Sequence, residues 1–378
     1  MTALNNANTS ARIVPILAPL HWRAPCANVE CSLHQLAPYI GKIKSSIAGE
    51  LIERYSKRGE LVVDPFAGAG TIPLEAALRE RRAFGADISP YSRILSKAKL
   101  LPPQSLEAAT RSAKRLLNAA EKVPKPDLRC VPQWVRKFFH PETLREALRF
   151  AAVARQEGNE FLMACFLGIL HHQRPGFLSF PSSHLVPYLR NKKFPPAKFP
   201  EMYQYRELRP RLLAKIERSY KRFQLPLDKR VRFAEVAVQS LELPSRFDAL
   251  ITSPPYMNAL DYGRDNRLRL WFIDPALTVP VDNDVTQRLK AFVEATTSLG
   301  KKIEKGLKEK GYCVFVVGVA STRKFDAHPS QVVLDVLKKE APSLHLQNVI
   351  VDDIPDIRRT RRECRGVKAE HILVFQRH

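Results

Sequence analysis

Apolar positions change period several times along the chain, and each change marks a strand or a helix. Ile43, Ile47, Leu51 and Ile52 fall on one face of a helix reaching Tyr55. Glu60 to Val63 reads as a short buried strand, Ile72 to Leu78 has helical spacing, and Arg82 to Ala86 is a second strand ending in Asp87. Ser92 to Leu100 predicts a helix that Pro102 and Pro103 stop. The pattern then stays helical for more than a hundred residues, over Leu106 to Lys122, Pro141 to Gln156 and Leu208 to Phe223. Phe161 to Leu170 is apolar, short and ended by His171-His172, which reads as a buried helix. Strands resume at Val231 to Leu241 and Phe247 to Ile251, followed by the near-continuous apolar strand Tyr312 to Val319. Val332 to Leu337 is a helix, and His371 to Phe375 is the last strand. Strands alternating with helices imply an α/β fold. The helical stretch divides the chain into 1–103, 104–230 and 231–378, with residues 1–30 an irregular, proline-containing arm.

Two loops in this pattern carry chemistry. The first strand runs into Asp64-Pro65-Phe66-Ala67-Gly68-Ala69-Gly70-Thr71 and then a helix. Strand, Gly-x-Gly turn and helix open a nucleotide-type binding unit, in which Gly68 and Gly70 let the backbone turn sharply and approach a ligand. Asp87 lies 23 residues after Asp64, where a carboxylate can accept both hydroxyls of a ribose. There is no third glycine, and Pro73 sits in the first helical turn, so the dinucleotide fingerprint fits worse. No lysine follows the glycines, which excludes a phosphate-cradling P-loop. The second loop, Thr252-Ser253-Pro254-Pro255-Tyr256, leaves the strand Phe247 to Ile251. Each proline fixes φ and restricts the residue before it. The result is a rigid loop that aims a side-chain oxygen and a carbonyl at one point beside an aromatic ring, which suits an exocyclic amine on a flat base.

Together the two loops resemble those of the S-adenosylmethionine-dependent DNA amino-methyltransferases, which methylate N4 of cytosine or N6 of adenine. The likeness covers roughly residues 30–100 and 230–378. Leu33 to Lys42 is similar to that family's N-terminal motif, and Met257 to Tyr262 to the continuation of its catalytic loop. The resemblance implies a Rossmann-like methyltransferase sheet with helices on both faces, plus a largely helical insert. Residues 1–103 would be an arm and cofactor-binding half, 104–230 the insert and candidate DNA-recognition region, and 231–378 the catalytic half. S-adenosylmethionine would be bound by Tyr39, Lys42, Asp64, Pro65, Phe66, Ala67, Gly68, Gly70, Thr71, Asp87 and Ile88. Ser253, Pro254, Pro255 and Tyr256 would hold the target base, with Asp261 orienting it or the loop. Serine in first place is most typical of N4-cytosine members, whereas Asp or Asn leans to adenine. The family often has Gly-Asp where this chain has Val231 to Ala237, leaving Glu235 or a backbone group to meet the adenine of the cofactor.

Charge adds a partner. Lys and Arg number 61 against 38 Asp and Glu, a net +23, and such an excess favours a polyanion through phosphate contact and counterion release. Lys192, Lys193, Arg209 and Arg211 stand in a segment interleaved with Tyr203, Tyr205 and Tyr220, which suits phosphate contact and base stacking. A solvated helix face is the plainer reading of the same segment. Arg358, Arg359, Arg361 and Arg362 form a second basic cluster, read as a grip on backbone phosphates. The partner expected is DNA, with a cognate restriction endonuclease as a further one. None of the six cysteines forms a Cys-x-x-Cys pair, so no metal is expected and free thiols of a reducing cytoplasm are. No secretory signal and no membrane-length apolar run are read.

The chemistry expected is direct in-line transfer to cytosine N4 after base flipping. The amine lone pair is delocalised into the ring, and acceptance of its hydrogens by the Ser253 hydroxyl and the Pro254 carbonyl pulls nitrogen toward sp3 while Tyr256 stacks on the base. Adenine N6 methylation, RNA amino-methylation on the same fold, and a non-catalytic DNA-binding protein are the alternatives.

Overall fold

The computed structural model describes residues 14–26, 28–171, 177–179, 195–224, 231–255, 263, 266–277, 285–320, 328–354 and 367–378. Among them one sheet holds β1 (Ile16–Leu17), β2 (Leu61–Asp64), β3 (Arg82–Asp87), β4 (Val231–Glu235), β5 (Phe247–Thr252), β6 (Leu307–Ala320), β7 (Leu344–Asp353) and β8 (Val367–Arg377). Their spatial order is β1-β7-β8-β6-β5-β2-β3-β4. Only the pairings of β8 with β6 and β7 are antiparallel. From β2 the chain winds one way through β3 to β4, then returns to β5 on the other flank of β2. That reversal is a topological switch point, and in open α/β sheets the crevice at the carboxyl ends of the strands there is where ligands bind.

The helices are α1 (Ser45–Tyr55), α2 (Thr71–Leu78), α3 (Pro90–Leu100), α4 (Leu106–Lys122), α5 (Gln133–Arg136), α6 (Pro141–Gln156), α7 (Glu160–Ile169), α8 (Leu208–Ser219), α9 (Arg267–Ile273), α10 (Val285–Gly306) and α11 (Pro329–Glu340). Strand alternation divides them between two faces. Val62, Ala249, Ile251, Val314 and Val316 meet Ile47, Leu51, Ile52, Ile72 and Ala76 of α1 and α2, with Trp22 of the N-terminal arm. Val63, Leu250, Cys313, Phe315 and Val317 meet Phe292, Leu299, Ile303, Val333 and Leu337 of α10 and α11. The sheet is therefore Rossmann-like, covered on both faces.

The helical insert has its own core, built on Phe150, Phe166, Leu162 and Leu212. Segments outside it join that core, among them Leu74 of α2 and Tyr91, Ile94 and Leu95 of α3. Cys31, Leu33 and Leu36 enter from the N-terminal side, and Leu268, Leu270 and Phe272 enter from α9. The helix that follows the second loop is thus packed into the insert. Among the described residues no helix is long and apolar enough to cross a membrane.

Candidate active site

Both sequence loops emerge side by side at the switch point. Val62 and Val63 of β2 pair with Ala249 and Leu250 of β5, so Asp64 and Thr252 end adjacent strands. The Thr252 hydroxyl donates to Asp64 Oδ1 at 2.6 Å, and both side chains are buried. That bond ties the glycine loop to the Ser-Pro-Pro loop, and nothing in the sequence marks it because the partners lie 188 residues apart.

Gly68 and Gly70 take φ +49° and +69°, the left-handed region that glycine adopts without strain. Gly70 caps α2, and its bare Cα faces α3: a Cβ there would lie 2.6 Å from Ser96 Oγ and 2.9 Å from Ser96 Cα. Behind the loop Lys99, 1 % exposed, donates from Nζ to the Ala69 carbonyl. Burial pulls its ammonium down to about 7, with Lys42 adding repulsion. Lys99 was not foreseen, although its place four residues after Leu95 on a helix puts it on the buried face.

The cleft above encloses about 690 Å3, its open mouth included. Tyr39, Lys42, Asp64, Phe66, Ala67, Gly68, Thr71, Asp87 and Ile88 line it, and so do Ser253 and Pro255. Gly41, Ile43, Ala69, Ile72 and Ser89 complete the wall and were not singled out in the sequence. Tyr39 stacks on Tyr91 at 5.8 Å and shares a hydrogen bond with Ser92. Lys42 donates to the His34 carbonyl at 2.8 Å.

Polarity along the cleft is uneven. At one end Asp87 accepts from the Gly68 N–H at 2.9 Å and the Ser89 N–H at 2.8 Å. A carboxylate has about four lone-pair sites, and the Ser92 side chain takes a third, so capacity remains for a further hydroxyl. Burial raises the Asp87 pKa, and those two amides pull it back. Ile88 beside it is 70 % exposed. In the middle Asp64 accepts from Thr252 and from the Phe66 N–H, and burial pushes its carboxyl up to about 7. A carboxyl so placed favours a cationic ligand group, which would restore its charge. Thr71 Oγ1, buried in the wall, has no hydrogen-bond partner among the described residues.

Glu235, next to Asp87 in register, forms an ion pair with Arg93 rather than lining the cleft. Of the expected nucleic-acid contacts, Arg209 donates to Asn118 and Glu121 at 2.7 Å, and Arg211 donates to the Glu207 carbonyl at 2.9 Å. Arg209 thereby ties α8 to α4, whereas the bond of Arg211 stays at the start of its own helix. Tyr256, Asp261, Lys192, Lys193, Arg358, Arg359, Arg361 and Arg362 lie outside the described residues.

The loop geometry gives a paired test. A left-handed non-glycine residue costs about 1–2 kcal/mol. Gly59→Ala, where φ is +79° and nothing lies within 4 Å, carries only that cost. Gly70→Ala adds the clash with Ser96, and denaturant unfolding should show a loss larger by at least ~1 kcal/mol. Equal losses would mean that the glycine loop is free to shift.

Residues 42–97 match the model of a DNA methylase family, N6_N4_Mtase. A segment of the chain is 29% identical over 68 residues to the Type II methyltransferase M.MjaII of Methanocaldococcus jannaschii, covering 18% of this chain and 13% of that protein. Among solved structures, TrmN from Thermus thermophilus aligns with a TM-score of 0.37 at 11% identity, over 92% of this chain and 52% of TrmN. A TehB-like SAM-dependent methyltransferase from Corynebacterium glutamicum aligns with a TM-score of 0.34 at 10% identity, over 89% of each chain. The sheet order and registers, rather than these loose overlays, define the fold.

Proposed function

We propose that this protein transfers a methyl group from S-adenosylmethionine to the exocyclic N4 of cytosine in DNA. The observation that carries the reading is the junction at the switch point. The Thr252–Asp64 hydrogen bond joins the two loops, and one cleft runs from Asp87 and Ile88 to Ser253 and Pro255. The match of residues 42–97 to DNA methylases supports the same chemistry.

The cleft fits the cofactor piece by piece. Asp87 has acceptor capacity for a ribose hydroxyl, and Ile88 and Phe66 would offer apolar surface to the adenine. Asp64, buried and without a cation beside it, would hold the ammonium of the amino-acid end. The unpartnered Thr71 hydroxyl at the start of α2 offers a bond to the adjoining carboxylate, where the helix dipole also favours an anion. When bound, S-adenosylmethionine supplies an electrophilic methyl group on a positively charged sulfur.

The chain's own task is to hold and sharpen a weak nucleophile. The Ser253 hydroxyl and the Pro254 carbonyl accept the two amine hydrogens, which draws the nitrogen lone pair out of the ring. Tyr256, next in the chain after Pro255, would stack on the base. Buried Pro254 and the Thr252 anchor keep these acceptors fixed. Such positioning can supply ~7–11 kcal/mol. The base leaves the duplex to reach the loop, at a cost of a few kcal/mol.

The test is mass spectrometry of nucleosides from DNA, and separately from RNA, incubated with the protein and methyl-labelled cofactor. Labelled N4-methylcytosine in DNA is expected. N6-methyladenine would overturn the base assigned and keep the mechanism. Label in RNA alone, or in neither polymer, would overturn the reading.

A further inference from the structure

The chain has three tryptophans. Trp22 is wholly buried under the sheet. The other two meet on the insert, away from the cleft. Trp134 of α5 and Trp271 of α9 cross edge to face with ring centroids 6.4 Å apart. Both are half-buried, each packed by one side on the insert core. The Arg267 guanidinium lies over the Trp134 ring, 4.2 Å from its centroid. Arg267 is exposed, as are Gln133 and Arg136 of α5.

The placement of α9 relates this patch to the cleft. Arg267 and Trp271 are four residues apart and share one helix face. Arg269 points the other way, buried, with its guanidinium 5.8 Å from the Tyr91 ring. Tyr91 in turn stacks on Tyr39, a wall of the cleft. The patch and the cleft wall are therefore on opposite sides of one helix, about 10 Å across. That span is about three nucleotide steps at ~3.4 Å each. The α9 helix also begins only twelve residues after Pro255.

Charge selects the occupant. Residues 104–230 carry 25 Lys and Arg against 11 Asp and Glu, so +14 of the chain's +23 lies in the insert. A guanidinium laid flat on an indole keeps its N–H edge for a phosphate and its outer face for a base. We infer that Trp134, Arg267 and Trp271 form a DNA-contact surface that grips the strand flanking the base presented to Ser253. The inference rests on the DNA methyl-transfer reading. Arg267 contacts a phosphate or stacks on an unpaired base, and the tryptophan pair supplies the platform under it.

The experiment measures binding of a short labelled DNA duplex by fluorescence anisotropy across a salt series, with cofactor affinity by calorimetry alongside. Arg267→Gln should weaken DNA binding about ten-fold and lower the slope of log K against log salt by about 1. Trp271→Ala should weaken it at least ten-fold. Cofactor affinity should stay within about two-fold in both. Lys290→Gln removes an exposed charge from α10, packed on the sheet, and should change DNA affinity less than about two-fold. Should Trp271→Ala lose cofactor binding through misfolding, Arg267→Gln decides alone, since it removes an exposed charge. Unchanged affinity and slope in Arg267→Gln would overturn the surface, as would RNA binding without DNA binding in the wild type. Wild-type DNA binding that depends on Arg267, with no methyl transfer, would keep the surface and sink only the catalytic reading.

Discussion

Ser253→Ala is expected to lower kcat on DNA by about 10²–10³-fold, the usual cost of removing one fixed polar partner from a reacting centre. The reason lies in where the hydroxyl sits. Ser253 follows the last residue of β5, whose own hydroxyl is fixed on Asp64, and precedes a buried proline. Its side chain is therefore presented by a backbone with little freedom, and a methyl group cannot accept a hydrogen. The Pro254 carbonyl, untouched by the substitution, leaves residual activity. Cofactor affinity should stay within about two-fold, because in the proposed reading Asp87 and Asp64, not Ser253, would hold the ribose and amino-acid ends. A fall in kcat with constant cofactor Kd separates loss of amine activation from damage to the cleft. Wild-type turnover in Ser253→Ala, by labelled methyl transfer, would remove this hydroxyl from the chemistry.

The parts of this molecule legible in its sequence are those decided locally. The glycine loop, the Ser-Pro-Pro loop and the strands leading into them obey turn and period rules over a few residues, and the cleft wall includes Asp64, Phe66, Asp87, Ser253 and Pro255 from them but not Pro65, Gly70 or Pro254. Helices α4 and α6 run over Leu106–Lys122 and Pro141–Gln156, the ranges their periodicity predicts. What escaped depends on contacts between distant residues or on a broken period. The strand β7 begins with the alternation Leu344, Leu346, and then a register shift between Leu346 and Asn348 interrupts it. The stripe of α10, Phe292, Leu299 and Ile303, is interrupted by Thr296, whose hydroxyl is satisfied inside the helix by the Phe292 carbonyl at 2.8 Å. The strand β1 is two residues long with Ile16 half exposed, too short for any period. Helix α9 packs into the insert although it belongs in sequence to the last third. Lys99 and Thr252 hold the two loops from behind and from the side, and only the folded chain brings them there.

Affinity for S-adenosylmethionine should rise as pH climbs from about 5 to about 7, by roughly 100-fold, and level off above. Burial holds the Asp64 carboxyl at about 7, far above its ordinary 3.8, because in the ligand-free cleft Thr252 and the Phe66 N–H are too little to keep the charge. An ammonium binds the carboxylate and not the acid, so below pH 7 each unit costs ~1.36 kcal/mol, or about ten-fold. The same group acts on stability in the opposite sense. A carboxyl whose folded pKa lies above its unfolded one contributes stability that is complete below 3.8 and is lost as pH rises through about 7. Asp87, raised by burial as well, adds to that slope. Ligand-free protein should thus lose stability over the range in which it gains affinity. A general acid unfolding would move both together, so opposite slopes in calorimetric Kd and in denaturant unfolding are the signature. Asp64→Asn, which leaves Asp87 in place, should flatten the affinity profile between pH 5 and 7 and reduce the stability slope. A flat wild-type profile, or an equal slope in Asp64→Asn, would show that this carboxylate does not meet the ammonium, and the cofactor's amino-acid end would then belong elsewhere in the cleft.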